Sequence, residues 1–412
     1  MKEVSKTYCR VPFDSVTISP TGRFQMCCEA QWTETINTEK NKLKDVDSLE
    51  QWFDSKYLQN VRKSMLQGNA LPECETCYKN EKLYNQSSRL EYNKNFQGDE
   101  HEQSIKKIDI KFGNKCNLKC KMCFPYASSE LWKEWKELGW NSKEKDPNND
   151  TSWKYFDGYF EEDYAWPKNA SNIDKIKQAA IKTKLLHVTG GEPTINPEFF
   201  QLLKHCIDKD VAKDIVLEVT TNATKIHPKF FDMVSQFKQV ILTISMDGVG
   251  KTYEYVRFPA NYDVVHKNIV QYNKFIKRLG NGSILRFNFV MQFWNVHNAI
   301  DVIKTLAPLS FNHSDAPVMI EILNDPKFMH WKMLPEDIIQ KTIKDLAKEM
   351  LKHPPKHIKW CLIALAEKLK RYRSIKSNEL MQDLVEFTTV QDKHRKINLK
   401  DYIPELVSSF SV

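Results

Sequence analysis

The chain has 412 residues, of which 41% are hydrophobic and 28% charged, so its composition fits folded domains and excludes a disordered chain. Its net charge of +8 (61 basic against 53 acidic residues) is mild, and it permits a nucleic-acid partner without favouring one. No apolar run approaches the roughly 18 residues that span a bilayer, and residues 1–10 lack the apolar core of a signal peptide. We therefore expect a cytoplasmic protein with no membrane partner.

Residues 1–98 are predicted to form a cysteine-rich domain. The segment Ser15–Met26 alternates around a Pro-Thr-Gly turn, which predicts a β-hairpin, and Ser48–Gln67 has a helical pattern. The clustered thiols have the spacings C-x12-G-x4-C and C-x2-C, and they are Cys9, Cys27, Cys74 and Cys77. In a cytosolic chain such clusters indicate metal ligands rather than disulfides. Four thiolates suffice for one closed iron–sulfur cluster or one structural zinc, and both remain open.

Residues 99–330 alternate strand and helix patterns. The predicted strands are apolar and often β-branched, as in a buried parallel sheet. They are Ile105–Phe112, Lys184–Thr189, Asp214–Thr220, Gln239–Ser245, Ile284–Met291 and Pro317–Leu323. The helices predicted between them are Pro197–Lys209, Pro228–Phe237, Tyr262–Lys277 and Val296–Leu306. Strand–helix units in series predict an α/β fold, either a parallel barrel or part of one.

Residues 126–183 interrupt this alternation as an insertion rich in aromatic residues. Its tryptophans are Trp132, Trp135, Trp140, Trp153 and Trp166. Large aromatic side chains supply much of the apolar surface that a core buries. The insertion therefore predicts either a satellite core or a lid over the mouth of the barrel, where a substrate would bind.

Residues 331–412 are predicted to be a C-terminal helical extension, amphipathic and rich in lysine. No residue pattern in it points to chemistry, and we expect it to cap the barrel, mediate assembly or contact a partner. Two isolated cysteines, Cys206 and Cys361, lie in apolar helical patterns and are interpreted as core thiols. His187 and His205 have no partners at ligand spacing and are interpreted as structural.

The most informative motif follows the first strand of the predicted barrel. Cys116, Cys120 and Cys123 have the spacing C-x3-C-x2-C. Structural zinc sites and ordinary [4Fe-4S] clusters take four protein ligands, so three thiolates leave one metal position open for a substrate or cofactor. The loops that follow the strands of a parallel barrel carry its active site, and this loop is one of them.

The second strand of the predicted barrel ends in the sequence Gly190-Gly191-Glu192-Pro193. Two glycines let the backbone approach a ligand closely, and the glutamate and the carbonyl groups can accept hydrogen bonds from an ammonium group. Alone, this sequence could be a turn. One strand after C-x3-C-x2-C, it is a strong indication of a cofactor site.

Together, the three-cysteine loop and Gly-Gly-Glu-Pro resemble the radical SAM (S-adenosylmethionine) superfamily over about residues 105–325. The resemblance implies a partial (β/α)6 TIM-like barrel and a [4Fe-4S] cluster on Cys116, Cys120 and Cys123, with SAM chelating the fourth iron. It also implies reductive cleavage of SAM to a 5′-deoxyadenosyl radical that abstracts hydrogen from a substrate. The implied electron donor is a reductant such as flavodoxin or ferredoxin. Met122 stands where the family often has an aromatic residue.

Further resemblances follow in strand order. The turn Thr220-Thr-Asn222-Ala is similar to the Thr-Asn-Gly turn of many members. In relatives with the pattern Ser-Met-Asp-Gly, the serine contacts the SAM ribose and a downstream arginine its carboxylate, which a bidentate guanidinium suits. The resemblance thus assigns SAM contacts to Asn222, Ser245, Asp247 and Arg257, beside the Gly-Gly-Glu-Pro residues. Without it, Ser245 and Asp247 would predict a turn and Arg257 a surface ion pair. Asn288 matches a polar position within the barrel.

The N-terminal cysteines resemble the SPASM or Twitch auxiliary-cluster domains of radical SAM enzymes. Those domains usually follow the barrel, whereas these cysteines precede it. Cys27 rather than Cys28 fits the glycine spacing, and the segments Arg62–Gly68 and Ser88–Asn93 also resemble Twitch-containing members. The resemblance implies an auxiliary [4Fe-4S] cluster, and four ligands favour full ligation and a role in electron transfer.

These observations predict a radical SAM enzyme that modifies a peptide or protein, or a small metabolite. An alternative is a radical SAM enzyme that modifies nucleotides or RNA, whose aromatic side chains would stack on bases. A third hypothesis, from another class, is a non-catalytic iron–sulfur or zinc regulatory protein. It accounts for the cysteines but has no need of Gly-Gly-Glu-Pro or of a serine that contacts ribose.

Overall fold

The computed structural model describes residues 5–30, 41–84, 86–95, 102–140, 160, 162–312 and 317–410. The strands are β1 Ser15–Ile18, β2 Phe24–Gln25, β3 Lys107–Lys111, β4 Leu185–Thr189, β5 Val216–Thr221, β6 Gln239–Ser245, β7 Ile284–Met291 and β8 Val318–Ile322. The helices are α1 Val11–Asp14, α2 Leu49–Phe53, α3 Lys56–Leu66, α4 Glu75–Tyr84, α5 Ser88–Asn95, α6 Ser129–Glu137, α7 Ala170–Ala180, α8 Pro197–Asp208, α9 Phe230–Val234, α10 Gly250–Val256, α11 Tyr262–Leu279, α12 Ala299–Leu306, α13 Glu336–Leu351, α14 Lys356–Leu369, α15 Asn378–Arg395 and α16 Leu399–Tyr402.

Contacts along the backbone divide the chain into two compact units. The first unit comprises residues 1–114, 162–218 and 232–239, and the second comprises residues 115–161, 219–231 and 240–412. The three-part division into residues 1–98, 99–330 and 331–412 stays a prediction. Strand β5 begins in the first unit and ends in the second.

The first unit is built on strands β1 to β4. Strand β1 pairs with β2 as an antiparallel hairpin, which confirms the turn predicted over Ser15–Met26. It also pairs in parallel with β3, which in turn pairs in parallel with β4. The pairing of β1 with β3 was not predicted from the sequence. The apolar residues of β3 and β4 are fully buried, among them Ile108, Ile110, Leu186 and Val188.

The second unit contains the parallel strands β6, β7 and β8. Burial alternates along β7, where Leu285, Phe287 and Phe289 are fully buried and the residues between them are half-buried. Period-two burial is expected of a sheet with one apolar face, and each fully buried side chain of this size contributes roughly 1.5–3 kcal/mol. The alternate face carries Asn288, whose backbone lies opposite Ser245 of β6. Ser245 and Asn288 therefore share one face of the sheet.

The α/β class, the parallel strands and the helical C-terminal region are confirmed. The helical pattern over Ser48–Gln67 is two helices, since the hydroxyls of Ser48 and Ser55 each accept a hydrogen bond from a backbone N–H and begin α2 and α3. No helix among the described residues is both long and apolar enough to pass through a bilayer. Cys206 and Cys361 are buried, as predicted for core thiols.

Most of the described tryptophans of the insertion are core residues. In the second unit, Trp135 and Trp140 are buried with their rings edge to face at 5.4 Å, and Trp140 stacks on Phe387 of α15 at 5.3 Å. In the first unit, Trp166 is buried and its indole N–H donates to the Pro20 carbonyl at 2.9 Å. These residues fit the satellite-core interpretation. Trp153 lies outside the described residues.

Candidate metal and cofactor site

The three-cysteine loop is fastened to the first turn of α6. The Ser129 hydroxyl accepts a hydrogen bond from the Cys116 N–H (3.2 Å) and donates to the Cys116 carbonyl (3.1 Å). The Ser128 hydroxyl caps α6 by accepting from Leu131 N–H (3.2 Å) and donates to the Leu118 carbonyl (2.6 Å). Two adjacent serines therefore fix the first half of the loop.

The middle of the loop is paired with the segment that carries Arg257. The N–H of Lys119 donates to the Phe258 carbonyl at 2.6 Å, and the N–H of Lys121 donates to the Val256 carbonyl at 2.8 Å. These two hydrogen bonds bracket Cys120 on one side and Arg257 on the other. The structure thus places the central thiol of the loop opposite the arginine that the resemblance selected.

Arg257 is buried and forms an ion pair with Asp247. Its Nε donates to Asp247 Oδ2 at 2.6 Å, while Asp247 Oδ1 accepts from Val290 N–H at 2.7 Å. Burial alone would lower the pKa of Arg257, but Asp247 and then Cys120 raise it, so the guanidinium is a permanent cation. Among the described residues, its two terminal nitrogens have no hydrogen-bond partner and are not sealed in the core. They can receive a carboxylate.

Gly248 makes the turn after Asp247 possible. A Cβ at this position would lie 2.8 Å from the backbone nitrogen of Tyr253, at a φ of +155°. The glycine therefore allows α10, which leads to Arg257, to pack directly against the end of β6.

Ser245, the last residue of β6, lies opposite Asn288 in the interior of β7. Ser245 is half-buried, and Asn288 Oδ1 is buried without a hydrogen-bond partner among the described residues. A buried acceptor without a donor is costly, so its presence points to a ligand or a water molecule at this face.

Asn222 ties the turn after β5 to the cysteine loop. Its Nδ2 donates to Asn117 Oδ1 at 3.1 Å and lies 3.9 Å from the Cys116 sulfur. Its Oδ1 accepts from the N–H and the hydroxyl of Thr224 at 3.0 and 2.7 Å, so the side chain is held at both ends. Asn222 is therefore within reach of the first thiol.

Burial disfavours the thiolate form of two cysteines of the loop. It raises the pKa of Cys123 to about 12, and it also raises the pKa of Cys120, which Arg257 lowers in part. Metal ligands must be thiolates, so metal binding releases the protons of these thiols. Within the described ranges, no three histidine, cysteine or carboxylate side chains are arranged to hold a metal ion. The donor set nevertheless fits an iron–sulfur cluster, because three soft ligands leave one iron open.

The Gly-Gly-Glu-Pro turn lies in the first unit. Gly190 has a φ of +73°, and a Cβ there would lie 2.7 Å from the Cβ of Lys111, so the turn needs glycine. Glu192 is buried, and its Oε1 accepts from the N–H (3.0 Å) and the hydroxyl (2.6 Å) of Thr194. The glutamate therefore caps the short 3-10 helix Pro193–Ile195.

The four predicted N-terminal ligands interact with one another within the first unit. Burial raises the pKa of Cys9 to about 12, and the neighbouring Cys74 and Cys77 raise it further. Burial likewise raises the pKa of Cys27, with additional effects of Cys28, Cys9 and Cys74. Thiols that disfavour one another's ionisation are neighbours, and their ligation of one metal centre stays a prediction.

Cys28 is exposed, and it is close enough to Cys27 to raise the pKa of that thiol. The other charged groups that act on Cys28 include Asp109, Glu29 and Lys111. The choice of Cys27 over Cys28 as a ligand stays a prediction.

Helix α5 holds Cys9 in place. The side chain of Asn93 donates to the Tyr8 carbonyl (3.0 Å) and accepts from the Arg10 N–H (2.8 Å), so it spans Cys9. Arg89 donates to the same Tyr8 carbonyl at 2.6 Å and is paired with Glu81. This explains why the segment Ser88–Asn93 accompanies the cysteines in the sequence.

Two groups of polar residues were missed by sequence reasoning. Imidazole Nδ1 of His187 lies 3.1 Å from Asp109 Oδ2 across the β3–β4 pair, a contact that only the strand register could predict. In the second unit, charged side chains surround the cysteine loop, and all of them except Lys119 are buried. They are Lys119, Lys121, Glu134, Asp392 and Arg395.

Comparison with known proteins identifies the class. Residues 110–304 match the Radical SAM superfamily. TigE of Paramaledivibacter caminithermalis, a radical SAM cyclopropyl synthase, is 24% identical over 252 residues, which are 58% of this chain and 46% of TigE. Streptococcus suis SuiB, solved with bound S-adenosylmethionine, is 16% identical over 72% of this chain and 50% of SuiB, with a TM-score of 0.35. The structure of anSMEcpe with bound AdoMet is 16% identical over 59% of this chain and 60% of that protein, with a TM-score of 0.33.

The segment from residue 110 to residue 304, a little under half of the chain, is a radical SAM domain. Members of this superfamily are enzymes that use a [4Fe-4S] cluster and SAM, so those two cofactor predictions are confirmed. The chain spans about half the length of TigE and SuiB, at 46% and 50%.

Proposed function

We propose that this protein is a radical SAM enzyme whose cluster is held by Cys116, Cys120 and Cys123. The observation that carries the proposal is the pairing of Cys120 with Arg257 through the backbone hydrogen bonds of Lys119 and Lys121, at 2.6 and 2.8 Å. It supports a site in which a thiolate-bound cluster and a ligand carboxylate lie next to each other. A non-catalytic iron–sulfur protein would have no use for this arrangement.

Within the second unit, the proposed SAM contacts are Arg257, Ser245 and Asn288. Arg257 offers two free guanidinium nitrogens to the carboxylate, since Asp247 occupies only Nε. Ser245 and Asn288 present polar groups for the ribose. For the first unit, the resemblance implies that the turn Gly190, Gly191, Glu192 and Pro193 accepts hydrogen bonds from the ammonium group of SAM. When bound, the cluster and SAM supply reductive cleavage to a 5′-deoxyadenosyl radical, which abstracts a hydrogen atom from substrate.

The surrounding residues of the second unit orient these groups. Asp247 fixes the guanidinium of Arg257, because its other oxygen is held by the Val290 N–H. Asn222 holds the loop at Asn117 and Cys116. The fixed cation and the fixed thiols need little reorganisation when ligand binds, which is how preorganised sites lower the cost of reaction.

For the first unit we propose an auxiliary [4Fe-4S] cluster ligated by Cys9, Cys27, Cys74 and Cys77. Four thiols suffice to ligate such a cluster fully, which fits electron transfer, and a structural zinc is the alternative. Cys27→Ser and Cys28→Ser form a matched pair for the test. Cys27→Ser is expected to lose one cluster's iron and sulfide, whereas Cys28→Ser keeps both. Zinc without sulfide at this site would favour the alternative.

The partners proposed are a reductant such as flavodoxin or ferredoxin and a substrate that is a peptide, a protein or a small metabolite. A nucleotide or RNA substrate is the alternative. Perdeuterated peptide and nucleoside pools separate the two, because hydrogen abstraction transfers deuterium into 5′-deoxyadenosine. Deuterium acquired from the peptide pool supports the first class, and deuterium acquired only from nucleosides supports the second.

The reaction class is tested by anaerobic reconstitution with iron and sulfide, followed by SAM and a strong reductant. We expect 5′-deoxyadenosine from the wild-type protein and none from Cys120→Ala. Cys206→Ala is the control, since it removes a buried thiol that lies in α8. A well-loaded wild-type protein that leaves SAM intact would contradict the proposal.

A further inference from the structure

Lys121, between the second and third cysteines of the loop, is fully buried. Its Nζ lies 2.6 Å from Asp392 Oδ1 and 4.4 Å from the centre of the Tyr255 ring. The Tyr255 hydroxyl donates to both oxygens of the same carboxylate, at 3.0 and 2.9 Å. Asp392 belongs to α15, so the C-terminal region reaches the cysteine loop at this point. A buried lysine is tolerated only when it is paired in this way.

A second ion pair connects the same helix to the other side of Cys120. Glu134 of α6 is fully buried and accepts from Arg395 at 3.0 and 2.7 Å, in a bidentate pair. Gln391 donates to Glu134 at 3.0 Å, and Lys119 Nζ lies 3.3 Å from the same carboxylate. Helix α15 therefore contacts Lys121 directly through Asp392, and it reaches Lys119 only through Glu134 of α6.

Arg395 also has an unused donor. Its Nη1 is buried and has no hydrogen-bond partner within the part of the chain that the structure describes. Arg395 is close enough to Cys120 to favour the thiolate of that residue. A buried cation with a spare N–H beside a thiol is suited to an anionic cluster, since sulfur atoms accept hydrogen bonds.

We propose that α15 is part of the cluster site, with Asp392 and Arg395 as positioning residues that hold the cysteine loop in its ligand-binding conformation. Apolar side chains could pack the helix equally well, so stability alone does not account for the buried charges. Asp392 pairs with Lys121, and Arg395 holds Glu134, which pairs with Lys119. The backbone N–H groups of Lys119 and Lys121 also bind the Arg257 segment. The effect on the cluster rests on the proposed function, but the holding of the loop does not.

Hydrogen–deuterium exchange of the iron-free protein tests the loop directly. The amides of Lys119 and Lys121 are hydrogen-bonded and should exchange slowly. In Asp392→Asn we expect them to exchange roughly tenfold faster, because Lys121 loses its partner. Glu379→Gln is the matched control, since it makes the same charge change at an exposed site of the same helix, and it should exchange at the wild-type rate.

The double variant Lys121→Met/Asp392→Asn shows whether faster exchange arises from the loop or from loss of the fold. It leaves no unpaired lysine in the core, so its thermal unfolding should stay close to that of the wild-type protein while the loop still exchanges roughly tenfold faster. Wild-type exchange rates in this folded double variant would overturn the proposal.

The iron-loaded protein supplies a spectroscopic readout. In Asp392→Asn, a chelator should remove iron from the cluster on Cys116, Cys120 and Cys123 roughly tenfold faster than in the wild-type protein. The electron paramagnetic resonance (EPR) signal of the reduced cluster should also change shape. Unchanged iron release and an unchanged signal would overturn the proposal. If the wild-type protein binds no cluster at Cys116, Cys120 and Cys123, the proposed function fails. The hydrogen–deuterium exchange of Lys119 and Lys121 still decides whether α15 holds the loop.

Discussion

The two cysteine sets of this molecule are built in opposite ways. The triplet Cys116, Cys120 and Cys123 comes from one loop of the second unit. The backbone of this loop is hydrogen-bonded to the Ser128 and Ser129 hydroxyls at the start of α6 and to the backbone of the Arg257 segment. The quartet of the first unit comes from separate segments, and α5 holds one of them by spanning Cys9. A single short loop has room for three ligands and leaves one position open. A site assembled from distant segments can close its coordination sphere.

Their electrostatic surroundings differ as well. The triplet lies among buried ion pairs, namely Arg257 with Asp247, Arg395 with Glu134 and Lys121 with Asp392. The quartet has Arg89, whose charge is largely used by Glu81. Charged groups with unused hydrogen-bond donors suit a site that must bind a zwitterionic ligand. A fully ligated electron-transfer cluster needs no such groups. The difference in surroundings supports the proposed roles, namely ligand binding for the triplet and electron transfer for the quartet.

The largest expected effect separates the two sets by mutation. Cys120→Ala should reduce SAM cleavage by at least about 100-fold, because the triplet cluster is lost while the quartet keeps its iron. Cys74→Ala should lose the quartet's iron and keep SAM cleavage within a few-fold. Iron, sulfide and 5′-deoxyadenosine are measured on both proteins. An equal loss of SAM cleavage in the two variants would contradict the proposal that the two cysteine sets have different roles.

A large effect on stability is expected from the ion pair opposite Cys120. Asp247→Asn leaves the Arg257 cation buried without a counter-charge and should lower the free energy of unfolding by about 3 kcal/mol or more. Asp301→Asn, at an exposed position of α12, should change it by less than about 0.5 kcal/mol. Urea denaturation measures both. A similar small change in the two variants would mean that Asp247 does not hold Arg257.

A smaller effect on stability is expected from removing the Asn93 side chain, which is hydrogen-bonded to the backbone on both sides of Cys9. Asn93→Ala removes two hydrogen bonds to the backbone around Cys9 and should lower the free energy of unfolding by about 1–3 kcal/mol. It should also speed iron release from the quartet while SAM cleavage is kept. The exposed Asn69→Ala is the control in the same unit. Faster iron loss from the triplet instead would contradict the comparison.

The smallest effect concerns acid stability of the second unit. Burial, and then Lys332, lowers the pKa of His330 from 6.5 to about 4, and its Nδ1 accepts from the Lys332 N–H at 3.0 Å. The unfolded chain takes up a proton that the folded chain refuses, so stability should fall as the pH drops from about 6.5 towards 4. His330→Asn keeps a capping acceptor and does not titrate, and its melting temperature should fall less over this range. Parallel pH profiles of the two proteins would exclude His330 as the cause.

Much of the fold and the ligand sets could be predicted from the sequence, because strand patterns and cysteine spacings are local. All of the predicted barrel strands are present within a few residues of their expected bounds. The partners of those residues could not be predicted. Asp392 meets Lys121 only through the packing of α15, and His187 meets Asp109 only through the strand register. One feature of the sequence could have predicted a buried polar contact of α15. Gln391 and Arg395 share a face of this helix, and polar residues on a buried face indicate a hydrogen-bonding partner.

The most direct test of the account is EPR spectroscopy of the fully loaded, reduced protein with and without SAM. We expect two cluster signals, of which only the one lost in Cys120→Ala shifts when SAM is added, because that cluster alone has an open iron. The signal lost in Cys74→Ala should be the same with and without SAM. A shift of the quartet's signal, or no shift of either, would contradict the assignment of the open site to the triplet.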